Sequence, residues 1–132
     1  MVDDEEPIRD AIKDLIERHN PALRVLVAAS AAEAIPRLKG NKVDLLITDQ
    51  HMPGMSGLEL IAMAHVDQPR LPGFLVTGHH EVDLAPEAIN RAQVFGFFYK
   101  PLDPADFLVR LQAALDKLAP IWGRIPPQGP AK

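Results

Sequence analysis

Cysteine is absent from the 132 residues, which excludes disulfide staples, thiolate metal sites and a cysteine nucleophile. That absence fits a reducing compartment, and a cytoplasmic location is expected. No apolar run approaches the ~20 residues needed to cross a bilayer, so no membrane association is expected. Nor is a signal peptide expected, because Met1-Val2 leads straight into Asp3-Asp4-Glu5-Glu6. A basic excess is missing too. Lys and Arg number 14 against 18 Asp and Glu, a formal charge of −4. Duplex nucleic-acid binders usually carry the opposite balance, so no direct nucleic-acid contact is expected. What the chain does have is a globular balance, with 47% apolar and 24% charged residues. Its length suits one core. The 13 prolines are its compositional oddity.

Two hydrophobic periods alternate along the chain. Ile8, Ala11, Ile12, Leu15 and Ile16 recur with helical spacing, and Asn20-Pro21 breaks the pattern. Residues 23–28 predict a strand. Ser30 predicts the cap of a second helix running through Lys39 and stopped by Gly40, with Pro36 kinking or shortening it. Residues 43–48 predict a strand buried on both faces, followed by the turn Met52-Pro53-Gly54-Met55-Ser56-Gly57. A helix containing Leu58, Ile61, Ala62 and His65 and a strand at 73–77 come next. A helix at 83–92, a strand at 94–99 and a last helix capped by Asp103-Pro104 complete the order. Strands alternating with helices imply a parallel sheet covered on both faces, with ligands at the carboxyl ends of its strands.

The polar residues at those ends are therefore the candidates. Asp49 follows the run at 45–48, Thr77 ends Phe74-Leu75-Val76, and Lys100 ends Phe97-Phe98-Tyr99. Asp3 and Asp4 stand where a first strand would end. Each has an ordinary reading alone, as a turn former, a strand residue or a solvated end. Together they are harder to dismiss. Carboxylates gathered at one edge repel unless a cation lies between them, and oxygen ligands suit Mg²⁺ better than zinc. An ammonium and a hydroxyl beside them supply what phosphoryl transfer to a carboxylate needs.

Over residues 2 to about 118 the sequence resembles the response-regulator receiver domains of two-component signalling, of the chemotaxis-regulator kind. The likeness rests on Val2-Asp3-Asp4-Glu5, Asp49-Gln50-His51-Met52-Pro53-Gly54-Met55-Ser56-Gly57, Thr77-Gly78 and Phe98-Tyr99-Lys100-Pro101. It implies a doubly wound, flavodoxin-like five-stranded parallel sheet of order 2-1-3-4-5. Asp49 would be the phosphoacceptor. Asp3, Asp4, Asp49 and the main-chain carbonyl of His51 would bind Mg²⁺. Thr77 and Lys100 would contact the phosphoryl group, and the Lys100-Pro101 peptide would be cis. Phe97 falls on the family's switch aromatic, where many relatives carry Tyr. His51 and His79 would flank the hydrolytic water and tune the lifetime of the phosphoryl group. The implied donor is a sensor histidine kinase or histidine phosphotransferase. Residues 83–118 would present the face that changes partner affinity. An output domain or effector protein, and a homodimer, are further expectations of the family.

The pattern departs from the family at both ends. Only Met1 and Val2 precede Asp3, whereas relatives have a full central strand there. Three or four buried apolar side chains at ~1.5–3 kcal/mol each rival a domain's net stability of ~5–15 kcal/mol. The expectation is that the numbered chain lacks residues of the natural protein. A strand exchanged from a partner chain, or the C-terminal tail, would be the other ways to fill the slot. Residues 1–118 are expected to form the receiver and 119–132, rich in proline, an irregular tail or linker that also carries Trp122 and Ile125.

Two further readings differ in class. One is a receiver-shaped interaction module that works without phosphorylation; the complete five-residue set speaks against it. The other is a turnover phosphatase of the haloacid-dehalogenase kind. That chemistry wants an acid two residues after the nucleophile, where His51 stands.

Overall fold

The computed structural model describes residues 1–78 and 86–122, with the side chains of 86–88 and 117–122 left aside. Helix α1 spans Glu6–His19, α2 Ala31–Gly40, strand β1 Leu46–Asp49 and α3 Gly57–Asp67. Strand β2 spans Gly73–Gly78, α4 Pro86–Ala92, β3 Gly96–Lys100 and α5 Pro104–Trp122. The expected alternation of helix and strand is therefore present. β1, β2 and β3 form a parallel sheet in that order, with Asp49 beside Val76 and Gly78 beside Lys100.

Among the described residues the first two strands of the expected five are reduced to isolated bridges. Val2 pairs in parallel with Ala28 on one side and Thr48 on the other. Its N–H donates to Ile47 O at 2.8 Å, and its carbonyl accepts from Asp49 N at 2.8 Å. Ala28 N donates to Met1 O at 3.0 Å, Asp3 N to Ala28 O at 3.1 Å, and the Met1 amine to Leu26 O at 2.9 Å. The lateral order is thus segment 26–28, residues 1–3, β1, β2, β3, which is the doubly wound 2-1-3-4-5 arrangement. The strand expected over 23–28 is not regular, because its neighbour in the sheet is only three residues long. Met1 lines a cavity of about 330 Å³ together with residues 23–28 and 43–47 and with Leu111 and Leu115 of α5. Burial there pushes the Met1 amino group down to about 6.

Alternating strand residues feed two apolar cores. Leu46 and Leu75 pack with Ala31, Ala34 and Leu38 of α2 and Leu60 and Ile61 of α3. Ile47, Phe74, Val76 and Phe98 pack with Ile12 and Ile16 of α1 and Phe107 and Leu111 of α5. This two-faced burial is why the strand sequences read as continuous apolar runs rather than as alternations. The second core holds an aromatic cluster: Phe98 stacks at 5.2 Å from Phe74 and lies tilted at 4.7 Å from Phe107.

The helix ends follow the sequence signals, with two differences. Ser30 Oγ accepts from Glu33 N at 3.2 Å, and Asp103 Oδ1 accepts from Ala105 N at 3.0 Å. Ser56 and Glu59 form a reciprocal capping box at the start of α3. Pro36, expected to kink or shorten α2, lies inside a helix that runs on to Gly40. α5 continues to Trp122, so the first four residues of the expected irregular tail are helical. Ile125 and the rest of that segment lie outside the described residues, as do His79 and the first residues of the helix expected over 83–92. β1 starts three residues later than expected, because its ladder with β2 begins at Leu46 opposite Gly73.

Candidate functional site: an acidic pocket at the carboxyl edge of the sheet

The parallel register carries the chemistry-bearing residues to one edge. Asp49 is the last residue of β1 and Lys100 the last of β3. Thr77, one residue before the end of β2, is opposite Tyr99. Asp3 and Asp4 reach the same edge because Val2 hydrogen-bonds across to β1. Oxygens of Asp3, Asp4 and Asp49 lie within 4.8 Å of one another. Lys100 Nζ stands 3.1 Å from Asp49 Oδ1, 3.7 Å from Asp3 Oδ2 and 3.6 Å from Glu5 Oε1. The Lys100-Pro101 peptide is cis, as the resemblance implied.

Asp3, Asp49 and Thr77 are buried, whereas Asp4 and His51 are exposed. Asp3 has only one oxygen hydrogen-bonded, the other having just the Lys100 ammonium at 3.7 Å. Its Oδ1 accepts from Glu5 N at 2.9 Å, while the fully buried Oδ2 has no hydrogen-bond partner. A buried orphan carboxylate oxygen costs free energy and calls for an explanation. On a residue grouped with two more carboxylates, it fits a site for a hard cation.

The acid–base balance agrees. Burial pushes the Asp49 carboxyl up, and the negative charge of Asp3 adds to the rise against the pull of Lys100. Burial likewise raises Asp3, opposed by the hydrogen bond from Glu5 and by Lys100. Burial works against the Lys100 charge, yet Asp49, Asp3 and Glu5 outweigh it and hold the ammonium above its ordinary value. One ammonium does not neutralise the group. Asp3, Asp4 and Asp49 therefore fit a divalent ion with oxygen ligands and open positions for water.

The structure thus gathers Asp3, Asp4, Asp49 and Lys100 in one pocket and sets Thr77 at the same edge. Phe97 is partly buried against the α2–α3 core. Its carbonyl accepts from the guanidinium of Arg110, which lies 4.5 Å above the Phe98 ring. Three contributions were not found from sequence. Glu5 shares Lys100, Arg110 ties α5 to β3, and Gln50 staples the loop after Asp49. Glu5 at least had a signal, since it adjoins the acidic pair; the other two act across 13 and eight residues with no local rule to reveal them.

Comparison with known proteins agrees with this geometry. The response regulator receiver domain family matches residues 1–112. The chain is 36% identical over 118 residues to the transcriptional regulatory protein YvrH of Bacillus subtilis, covering 89% of this chain and 48% of that protein. It is 31% identical over 115 residues to the phosphoglycerate transport system transcriptional regulatory protein PgtA of Salmonella typhimurium, covering 87% of this chain and 27% of that protein. The chain therefore spans about a quarter to a half of these relatives' length. A response regulator receiver domain protein from Clostridium thermocellum superposes with a TM-score of 0.80 at 28% identity, covering 91% of this chain and 94% of that one. A CheY-like receiver domain protein from Methanospirillum hungatei gives 0.77 at 28% identity, covering 88% and 90%. With its doubly wound parallel sheet and the acidic pocket at that sheet's carboxyl edge, the chain belongs to the response regulator receiver domain family.

Proposed function

We propose that this receiver domain is a phosphorylation-driven switch in which Asp49 accepts a phosphoryl group from a phosphohistidine donor. The observation that carries this reading is the buried Asp49 carboxylate, held 3.1 Å from Lys100 and grouped with Asp3 and Asp4. Asp3, Asp4, Asp49 and the carbonyl of His51 would hold Mg²⁺. The ion supplies positive charge to the transferring oxygens and relieves the repulsion among the carboxylates.

The chain's own residues do the rest. An Asp49 oxygen attacks phosphorus, a carboxyl-oxygen–phosphorus bond forms, and the bond from phosphorus to the donor's imidazole nitrogen breaks with its electron pair leaving on that nitrogen. Lys100 exchanges part of its pairing with Asp49 for the incoming phosphoryl oxygens. Thr77 donates its hydroxyl hydrogen to one of them. Hydrolysis of the acyl phosphate returns Asp49 and inorganic phosphate, so the domain assists its own charging and discharge without being a turnover enzyme.

The output is a change at the α4–β3–α5 face, with Phe97 as the residue that moves. The partners are a sensor histidine kinase or histidine phosphotransferase upstream and an output domain or effector downstream, with a homodimer as one form of output. The setting is cytoplasmic; no helix among the described residues is long and apolar enough to cross a membrane.

Acetyl phosphate tests the reading. With Mg²⁺ the parent should gain one phosphoryl group in intact-mass spectrometry; with EDTA, or as Asp49→Asn, it should gain none. No gain in the parent would favour the phosphorylation-independent interaction module.

A further inference from the structure

Gln50 follows the acceptor aspartate directly, and it is 7% exposed although polar. Three hydrogen bonds fix it. Its N–H donates to Val76 O at 2.9 Å, its carbonyl accepts from Gly57 N at 3.1 Å, and its side-chain Oε1 accepts from Leu58 N at 2.9 Å. The first N–H groups of a helix have no partners within the helix. At the start of α3 they are shared out completely. Ser56 takes Glu59 N with its hydroxyl, and Glu59 takes Ser56 N with its carboxylate. Gln50 takes the remaining pair, one with its backbone and one with its side chain.

This staple closes the loop 50–57 onto itself. Gly57 shows how tightly: a Cβ there would sit 2.2 Å from Asp49 O, far inside any real contact. The start of α3 therefore rests on the Asp49 backbone, and only a residue without a side chain fits. The loop so closed contains His51, the next residue after Gln50.

We propose that Gln50 is a positioning residue for the cation site: by pinning the loop after Asp49 to the N-terminus of α3, it fixes the Gln50–His51 peptide and so restricts where the His51 carbonyl, one peptide further on, is offered to the ion. This rests on the reading of the pocket as a Mg²⁺-dependent phosphoacceptor. Pre-set ligand geometry matters most for Mg²⁺, which demands near-ideal octahedral coordination. Outer-shell partners that hold a ligand in place commonly contribute ten- to a hundredfold in metal affinity.

The test is calorimetric titration of Mg²⁺ into the parent, Gln50→Met, and Asp49→Asn as control. Met keeps the length and volume of Gln but offers no good acceptor to Leu58 N. Gln50→Met should bind Mg²⁺ about tenfold more weakly than the parent. In acetyl phosphate labelling, its half-saturating Mg²⁺ concentration should rise by the same factor, with the rate at saturating Mg²⁺ unchanged. A purely structural role would lower thermal stability in EDTA and leave the Mg²⁺ affinity where it was. Parent-like affinity in Gln50→Met overturns the proposal and leaves the phosphoacceptor reading standing. Failure of the parent to bind Mg²⁺ overturns both. Should Gln50→Met not fold, Leu58→Pro removes the donor instead, at a first-turn position where proline fits. It should show the same weakened binding, and parent-like affinity there overturns the proposal equally.

Discussion

Replacing Asp49 by Asn should stabilise the metal-free protein at neutral pH. Asp49 Oδ1 stands 3.1 Å from Lys100 Nζ, an attraction of about 5 kcal/mol at an effective dielectric constant of about 20. Repulsion from Asp3, whose oxygen lies within 4.8 Å, returns about 3.5 kcal/mol of that at the same dielectric constant. The remaining attraction, about 1.5 kcal/mol before the further repulsion of the exposed Asp4, is smaller than the several kcal/mol it costs to bury an ion. Desolvation therefore wins, which is why the Asp49 carboxyl is raised.

The sign follows. A group whose folded-state pKa is raised contributes stability at low pH and loses it as pH rises through that value. The parent and Asp49→Asn should therefore be similar in acid and separate towards pH 7, where Asn is ahead by the excess of the desolvation cost over that attraction. The assay is thermal or urea unfolding in EDTA across that pH range. Adding Mg²⁺ should shift the balance towards the parent. At ten times its dissociation constant it stabilises the parent by about 1.4 kcal/mol and the variant by much less. A parent more stable than Asp49→Asn in EDTA at pH 7 would refute the reasoning.

Other substitutions probe the frame that positions the pocket. Gly57→Ala should cost about 3 kcal/mol in urea unfolding, since its Cβ would meet Asp49 O at 2.2 Å. Phe98→Ala empties a site packed against Phe74 and Phe107 and should cost about 3–5 kcal/mol by the same measurement. Ser56→Ala removes the capping box of α3 and should cost about 1 kcal/mol.

The sequence spoke clearly where a signal is local. Ile12 and Ile16 announce the buried face of α1 by their spacing, and Ser30 and Asp103 mark helix starts with side chains that do cap. Asp49 and Lys100 were legible because a charged residue closing an apolar run sits at a strand end. What stayed hidden depends on neighbours distant in sequence. Residues 23–28 have strand-like composition, but a strand needs a partner, and only Ala28 makes a bridge there. Pro36 sits within α2 although it cannot donate a hydrogen bond. Gln50 is an unremarkable residue until α3 folds back and offers it two N–H groups.

The central claim is that one carboxylate, Asp49, takes the phosphoryl group. Borohydride reduction after treatment with acetyl phosphate and Mg²⁺ converts an aspartyl phosphate to homoserine, and peptide mass mapping then locates it. The account predicts homoserine at position 49 alone, abolished by EDTA. Homoserine at another acid, or at none while the parent demonstrably binds Mg²⁺, would contradict it.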